Sequence, residues 1–275
     1  MKDYDIMVLA LRDMQDEGLD ISIMQCYVTK TTGIYSIDSL AFYGYVAEGL
    51  MTPEDFKISD TKNHNYSLPN IPVILGNDYQ PGDIKYKDIS GPDGVPDGRI
   101  TPEYDKVVLG SNIPRYTYSF RGDLAWKGLD FSFVIQGVGK CDGYLAGSAR
   151  HAFQDMAAYP QKVHLERYNV VTNPDPNAAY PRLTYNTGFN QNTFSTYWME
   201  DASYLRLKNV QLGYTFPEKW MKKARIDKMR LYLSGDNLVT FSKFFYAYDP
   251  ETPVSKGGYY PQIKTVVMGL NITFK

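Results

Sequence analysis

The last apolar stretch of the chain, residues 266–274, alternates with a period of two. Apolar side chains take every second position, and Thr265, Gly269, Asn271 and Thr273 lie beside or between them, with Val267 as the single interruption. A period of two is the repeat of a β-strand. Residues 266–274 therefore predict a two-sided strand, which suits an outer-membrane barrel because one face meets lipid and the other meets water.

The same alternation marks a longer region after Pro114. Residues 116–127 alternate aromatic or apolar with polar side chains over about the length that a tilted bilayer crossing needs. The short segment 127–130 leads directly into another alternating run at 131–136. This order predicts a β-hairpin with a tight turn.

Two further strands are predicted at 205–216 and 230–241, with a short helix-like segment at 217–225 between them. The apolar register of the first strand shifts near Asn209. A shift of this kind predicts a β-bulge, because one extra residue moves the following side chains to the other face.

The first half of the chain is less regular. Residues 6–16 are more helix-like than strand-like, 19–28 favour a strand, and 34–50 are rich in aromatic residues. Thr52 followed by Pro53 and two acids predicts a helix N-terminus. Residues 63–105 are dense in Pro, Gly, Asn and Asp and predict mostly loop. A long irregular segment at 141–200 predicts an extracellular loop, because outer-membrane barrels carry their long connections outside.

Composition narrows the class of protein. Aromatic residues make up 15% of the chain and include 24 Tyr, which suits the aromatic girdles of a barrel. Mean hydropathy is -0.38, and no apolar run approaches the roughly 18 residues of a spanning helix. The net charge of -2 and the pI of about 5.9 give no basic footprint for nucleic acid. The two cysteines, Cys26 and Cys141, are far apart and have no metal or redox spacing.

An acidic loop carries the one pattern that favours metal chemistry. Asp88, Asp93, Asp97 and Asp105 lie in a short Gly-rich segment, and carboxylate oxygens are the ligands that Ca²⁺ prefers. The calcium-loop pattern is incomplete, because its third position is Val95 and its twelfth is Tyr104. A solvated loop whose Asp residues form local Asx turns is the alternative.

No set of catalytic residues is present in the sequence. The three histidines lack zinc-protease spacing, and neither a Gly-x-Ser-x-Gly elbow nor a phosphate-binding loop occurs. We therefore predict that the chain is not an enzyme. Tyr144, Tyr197 and Trp198 lie in or beside the long loop, where sugar rings could stack on them, although packing of the loop is the alternative. Arg182 is predicted to anchor a loop by pairing with a carboxylate.

Several stretches together resemble one family, the TonB-dependent outer-membrane transporters of the SusC/RagA type. They are Phe42-Tyr-Gly-Tyr-Val-Ala-Glu-Gly-Leu50, Gly82-Asp-Ile-Lys-Tyr-Lys-Asp88, Asn177-Ala-Ala-Tyr-Pro-Arg182, Asp201-Ala-Ser-Tyr-Leu-Arg-Leu-Lys-Asn-Val-Gln-Leu-Gly-Tyr214, Ser234-Gly-Asp-Asn-Leu238, Tyr248-Asp-Pro-Glu251 and the final strand. The ending also resembles the signal that barrel-assembly machinery recognises, with Gly269, Leu270, Ile272 and Phe274 as its residues.

The resemblance implies an all-β fold of antiparallel transmembrane strands, as the C-terminal part of a large barrel with long extracellular loops. It leaves residues 1–33 unassigned and divides 34–275 into loop-rich 51–113, strand-rich 114–140 and 203–275, and the long loop 141–202. The opening of the chain has no export signal, and the strands are too few for the family's roughly 22-stranded barrel. The expectation is therefore a fragment that lacks the plug.

Two functions remain open at this point. The first is import of oligosaccharides or peptides across the outer membrane with a SusD-like surface lipoprotein, driven through the TonB system. The second is a soluble glycan-binding β-sandwich, with Ca²⁺ as a candidate stabilising ion. Phe120, Leu124, Ile135, Leu270 and Ile272 separate the two, because a barrel exposes them in an outer band and a sandwich buries them between sheets.

Overall fold

The computed structural model describes residues 20–30, 41–60, 62, 65–74, 78–153, 160–185, 193–222, 225–245, 248–251, 254–255 and 262–274, with the backbone alone for 20–30 and 254–255. The strands are β1 Asp20–Lys30, β2 Ala41–Tyr45, β3 Ala47–Leu50, β4 Phe56–Asp60, β5 Asn65–Pro69, β6 Ile84–Tyr86, β7 Lys106–Ser111, β8 Tyr116–Trp126, β9 Leu129–Gly139, β10 Asp142–Leu145, β11 Met199–Asp201, β12 Tyr204–Thr215, β13 Ile226–Ser242, β14 Val254–Ser255 and β15 Thr265–Phe274. The helices are α1 Glu218–Met221 and the 3₁₀ turns Pro53–Asp55, Gly147–Ala149, Lys162–Glu166 and Thr196–Trp198.

Six long strands form one antiparallel sheet in the order β1-β8-β9-β12-β13-β15. The hairpin predicted at 116–136 is confirmed, and β8 and β9 pair along their full length. Its turn residues Lys127 and Gly128 both have positive φ, 46° and 90°, as a two-residue type I′ turn requires. A Cβ at position 128 would also lie 2.7 Å from the carbonyl oxygen of Thr215. Position 128 therefore requires glycine both for its positive φ and for this close approach.

The other strand predictions are confirmed as well. The strands predicted at 205–216 and 230–241 correspond to β12 and β13, with Phe216 one residue beyond the end of β12, and the helix-like segment between them contains α1. The bulge predicted near Asn209 is present, since the pairing of β12 with both neighbours shifts between Leu207 and Asn209. The strand predicted at 19–28 corresponds to β1. The helix prediction at 6–16 lies outside the described residues.

The helix start predicted at Thr52 is present, but it is a single turn. The backbone N–H of Thr52 donates to Oδ2 of Asp55 at 2.8 Å, and its hydroxyl contacts the same oxygen at 3.2 Å. The 3₁₀ turn then passes directly into β4 at Phe56, whose backbone is extended. Residues 63–105, predicted as mostly loop, contain only the short strands β5 and β6 in their described part.

The connections of the six-stranded sheet differ between its two ends. At one end β8 joins β9 by two residues, and β12 joins β13 through the short segment with α1. At the other end lie the three long connections, from β1 to β8, from β9 to β12 and from β13 to β15. Outer-membrane barrels place short turns in the periplasm and long loops outside the cell. The long connections thus mark the extracellular end of the sheet.

The long connections pack against one another, and we call their described residues the loop assembly. Its small sheets are β2-β7, β3-β6, β4-β5 and β11-β10-β14. A large hydrophobic cluster draws residues from all three connections, among them Ile84, Trp198 and Phe244. A second, smaller cluster contains Met51, Phe56, Tyr66 and Tyr79. The segment predicted as an extracellular loop therefore shares a packed core with the other two long connections.

The six-stranded sheet, in contrast, is not covered on its apolar face. Among the described residues of β8, β9, β12, β13 and β15, only Val138 and Tyr204 are buried hydrophobic residues, and both lie at the extracellular end. Phe120, Leu124 and Ile135 are partly exposed, and Leu270 and Ile272 are exposed. The alternative of a soluble β-sandwich is wrong, because no second sheet packs on these side chains in the described part of the chain. No described helix has the length and apolarity of a membrane span.

Candidate functional site

The outer face of the sheet is a continuous apolar surface. Cross-strand pairing joins one side chain from each of five strands into a row, namely Leu124, Phe131, Leu212, Leu233 and Met268. A neighbouring row contains Phe120, Ile135, Leu207 and Val239. Met268 is 74% exposed. Water-soluble proteins rarely expose an apolar surface that extends across five strands, so lipid is the solvent that suits this face.

The inner face of the same strands is polar. Arg121 pairs with Asp123 at 2.8 Å, Arg230 forms a two-pronged ion pair with Asp130, and the side-chain amide of Asn209 donates to a partner on β13 at 2.7 Å. These residues alternate in sequence with the apolar rows. The alternating pattern of the sequence therefore places apolar side chains on the lipid-facing surface of the sheet and polar side chains on its water-facing surface.

The residues predicted as an assembly signal lie on β15 and divide between the two faces. Leu270, Ile272 and Phe274 are exposed on the outer face, where Leu270 is 53% exposed. Gly269 lies on the inner face, and a Cβ there would lie 2.2 Å from the ring of Tyr232. Glycine at 269 thus leaves room for the tyrosine ring on the paired strand. Recognition of this strand by assembly machinery stays a prediction.

At the extracellular end of the inner face, one buried arginine holds the last long connection onto the sheet. Arg206 is 2% exposed, and its Nη2 donates to both carboxylate oxygens of Asp249 at 2.8 Å. Its Nε donates to the hydroxyl of Thr240 at 2.9 Å. Nη1 lies 2.9 Å from Oε1 of Glu251, an ion pair without hydrogen-bond geometry, and Lys208 contacts the same oxygen at 3.0 Å. The sequence places Arg206, Lys208 and the two acids in two of the resembling stretches but does not show that they pair, because the partners are about forty positions apart.

A second ion pair joins the first long connection to the second. Nε and Nη2 of Arg182 donate to the two carboxylate oxygens of Asp83 at 2.8 and 3.2 Å, and Asp83 is buried. The prediction that Arg182 anchors a loop through a carboxylate is confirmed. Nearby, the backbone N–H of Leu50 donates to the carbonyl oxygen of Pro176 at 2.8 Å.

Three of the four acidic residues of the proposed calcium loop, Asp88, Asp97 and Asp105, accept hydrogen bonds from backbone N–H groups. Asp105 is fully buried and accepts from Ile89 at 2.7 Å, from Ser90 at 3.2 Å and from Thr101 at 2.7 Å.

Asp88 accepts from the N–H of Gly98 at 2.6 Å, and Asp97 accepts from the N–H two residues later at 3.0 Å, as in an Asx turn. In the described part of the chain, Asp88, Asp93, Asp97 and Asp105 do not come together as a metal-ligand group, nor do any other three acidic, His or Cys side chains. Calcium binding here stays a prediction.

The aromatic ligand candidates pack inside the loop assembly. Tyr144 is buried and stacks on Phe194 with ring centroids 3.8 Å apart. Tyr197 donates its hydroxyl to the carbonyl oxygen of Ala178 at 2.7 Å, and burial raises its pKa. Trp198 is 1% exposed. These three side chains therefore pack the interior of the loop assembly, which is the alternative to ligand binding that the sequence analysis left open.

Two of the three candidates also line one cavity of about 560 Å³. Its wall contains Tyr197, Trp198 and Glu200, together with Lys162 and Leu165. Burial and the neighbouring Asp201 raise the pKa of Glu200. Tyr144 does not line this cavity. Small-molecule sites are usually lined by apolar and aromatic side chains with a few polar groups among them. Glu200 lies in this lining and is not among the predicted ligand candidates.

Comparisons with known proteins agree with this architecture. No family model matches the chain. It is 27% identical over 253 residues to TonB-dependent receptor P3 of Formosa agariphila, covering 85% of this chain and 22% of the receptor. It is 32% identical over 205 residues to TonB-dependent receptor P26 of the same organism, covering 70% of this chain and 20% of the receptor.

Solved structures show the same fold. The RagAB peptide transporter aligns with a TM-score of 0.57 at 21% identity, over 84% of this chain and 22% of that chain. The RagAB peptide importer in its closed-closed state aligns with a TM-score of 0.56, over 92% of this chain and 28% of that chain. The chain thus spans between 20% and 28% of the length of these proteins.

The similar proteins are receptors and transporters, in agreement with the prediction that the chain is not an enzyme. Their outer-membrane location agrees with the lipid-facing surface of β8 to β15. We therefore identify the chain as part of a TonB-dependent outer-membrane receptor that shares the β-barrel fold of the RagAB transporter.

Proposed function

We propose that this chain supplies part of the barrel wall and of the extracellular surface of a transporter that imports oligosaccharides or peptides. The observation that carries the proposal is the two-faced sheet, with the apolar row from Leu124 to Met268 outside and the ion pairs of Arg121 and Arg230 inside. Such a wall separates lipid from a water-filled interior through which a polar nutrient can pass.

The loop assembly is the proposed contact surface for the nutrient and for a SusD-like surface lipoprotein that covers it. Residues that bind ligands and partner proteins often lie in long loops that a rigid scaffold holds in place. The cavity beside Tyr197, Trp198 and Glu200 is the proposed nutrient contact, because aromatic faces, an indole N–H and a carboxylate suit both sugars and peptides. Energy for transport is proposed to come through TonB, as in the family that the chain resembles.

Uptake by living cells tests this proposal. A strain without the gene is complemented with the wild-type protein and supplied with labelled oligosaccharides or labelled peptides, with and without an uncoupler of the proton gradient. Uptake of one class, lost with the uncoupler, is the expected result. Equal uptake by the complemented and the deleted strain would refute the transport function.

A matched pair of variants tests the cavity. Leu165 lines it and is exposed, whereas Val171 is equally exposed but does not line it. Leu165→Asp places a charge in the cavity without disturbing a core, so uptake is expected to fall while protein level is unchanged. Val171→Asp is the control. Unchanged uptake in both variants would show that the nutrient does not contact this cavity, and it would leave the assignment of a barrel intact.

A further inference from the structure

The two short connections of the sheet lie side by side at its periplasmic end. The backbone N–H of Thr215, the last residue of β12, donates to the carbonyl oxygen of Gly128 in the turn between β8 and β9 at 2.7 Å. The chain then enters α1 at Glu218. We call residues 126–128 and 214–222 the periplasmic rim, because this hydrogen bond joins them into one edge.

The aromatic side chains of the rim continue the lipid-facing surface. Trp126 and Tyr214 belong to one cross-strand row, because both pair with Leu129. This row lies two positions from the row that contains Leu124 and Met268, and it is therefore on the same face of the sheet. The ring of Tyr214 meets the ring of Phe216 edge-on, with centroids 5.2 Å apart.

The aromatic surface extends from the sheet onto α1. The ring of Phe216 lies 6.3 Å from the ring of Trp220, between centroids. Trp220 is 62% exposed, and Trp126 is 46% exposed. Tryptophan is enriched at the level of the lipid headgroups, because its ring is largely apolar and its N–H can bind a polar partner. The two tryptophans therefore place the rim among the headgroups of the periplasmic leaflet.

Each exposed tryptophan has a lysine beside it. Nζ of Lys127 lies 4.9 Å from the centroid of the Trp126 ring, and Lys219 is the exposed neighbour of Trp220 in sequence. Among the residues that the structure describes, neither lysine has an ion-pair partner. A long lysine side chain can cover apolar surface and still keep its ammonium group in the polar layer. Both ammonium groups are therefore free to bind an anion at headgroup depth.

The net charge of the rim is positive. Its third lysine, Lys222, lies 3.9 Å from the carboxylate of Glu218, and both side chains are largely exposed. Such a surface pair contributes little to stability and is easily exchanged for another partner. The rim thus has three lysines and one carboxylate, although the whole chain has a net charge of -2.

We propose that the periplasmic rim binds the headgroup of an anionic phospholipid. Lys127 and Lys219 donate to its phosphate oxygens, and its acyl chains lie against the aromatic row of the outer face. The excess of lysine selects an anionic lipid, because a zwitterionic headgroup brings its own ammonium group to the phosphate. The occupant is a membrane lipid and not a free phosphate, because the rings beside the lysines lie on the lipid-facing side. This inference does not depend on the proposed transport.

Native mass spectrometry of the full-length protein tests the selectivity. The protein in neutral detergent is mixed with equal amounts of phosphatidylglycerol and phosphatidylcholine, and the ratio of the two bound lipids is measured. Phosphatidylglycerol is expected to be in excess. Lys127→Gln and Lys219→Gln are each expected to lower the ratio about fivefold, the usual contribution of one lysine at an anionic lipid surface.

Two variants are the controls for this measurement. Lys57→Gln removes the same charge from an exposed position of β4, in the loop assembly at the opposite end of the sheet, and is expected to leave the ratio unchanged. Lys219→Arg keeps the charge and is expected to keep the excess of phosphatidylglycerol. The heat-dependent shift in gel mobility shows that each variant is folded.

A photoreactive phosphatidylglycerol with its label in the headgroup tests the position. Cross-links are expected in peptides that contain residues 126–128 and 214–222, and they are expected to be displaced by unlabelled phosphatidylglycerol but not by phosphatidylcholine or inorganic phosphate. The proposal is overturned if wild type binds the two lipids equally, if Lys57→Gln lowers the ratio as much as Lys219→Gln, or if the cross-links lie elsewhere. Displacement by inorganic phosphate would also overturn it, because the site would then bind a free ion.

Discussion

A charge on the outer face should cost far more than the same charge one residue further along. In β15, Leu270 is 53% exposed on the apolar face, and Asn271 is exposed on the polar face. Both lie near the middle of the strand, so depth in the membrane is nearly the same for the two. Leu270→Arg and Asn271→Arg therefore differ mainly in the solvent that the new guanidinium meets.

The magnitude follows from the two environments. Arg at a lipid-facing position costs about 2–4 kcal/mol at the bilayer midplane and less near an interface. An exposed Arg on the water-facing side costs less than about 1 kcal/mol, even though Asn271 pairs with Arg230, because Asp130 already neutralises that arginine. A difference of about 3 kcal/mol corresponds to more than a hundredfold in the unfolding equilibrium constant.

Urea unfolding of the full-length protein in lipid vesicles measures the difference, with the folded fraction taken from the heat-dependent shift in gel mobility. Leu270→Met, which keeps volume and polarity, is the control for side-chain change alone and should cost less than about 1.5 kcal/mol. Equal destabilisation by Leu270→Arg and Asn271→Arg would refute the assignment of lipid to one face and water to the other.

Three other predictions concern the loop assembly and its junction with the sheet. Arg206→Gln removes the buried partner of two carboxylates and should lower the free energy of unfolding by about 3–5 kcal/mol. Lys208→Gln breaks a partly exposed ion pair and should lower it by only about 0–1 kcal/mol. Similar urea midpoints for the two variants would contradict this prediction. Burial, together with the charges of Asp142 and Asp201, raises the pKa of the Cys141 thiol to about 11. In a Cys26→Ser variant, alkylation of Cys141 at pH 8 should therefore be slow until urea unfolds the protein. Rapid alkylation of the folded protein would disprove this prediction. Burial and the charge of Asp201 raise the pKa of Glu200 in the folded state, so its contribution to the free energy of unfolding is present below the unfolded pKa and is lost as pH rises through the folded pKa. Glu200→Gln should flatten this part of the dependence of the free energy of unfolding on pH. An unchanged pH dependence would argue against burial of the carboxylate.

The sequence was sufficient for the strands of the sheet and insufficient for the loop assembly, for a physical reason. Lipid and water impose a period of two on β8, β9, β12, β13 and β15, and that constraint is local in sequence. The bulge near Asn209 was visible for the same reason, since it interrupts the period. No local constraint connects Asp83 with Arg182, which are 99 positions apart.

The aromatic residues show the same limit within one segment. Tyr144, Tyr197 and Trp198 were recognised as loop residues, but a loop sequence carries no period that separates a buried ring from an exposed one. Their burial depends on partners in the other long connections, such as Ile84 and Phe244. Glu200 is not among the candidates predicted from the sequence, and only the fold places it beside a cavity.

The short stretches by which the chain resembles the SusC/RagA family meet one another in the fold. Asp83 of one stretch pairs with Arg182 of another, and Arg206 of a third pairs with Asp249 of a fourth. These stretches therefore hold the loop assembly together and fix it on the sheet. Substitutions in them should lower the free energy of unfolding. Under the proposed transport function, selectivity for the nutrient should depend instead on cavity residues outside the stretches, such as Leu165.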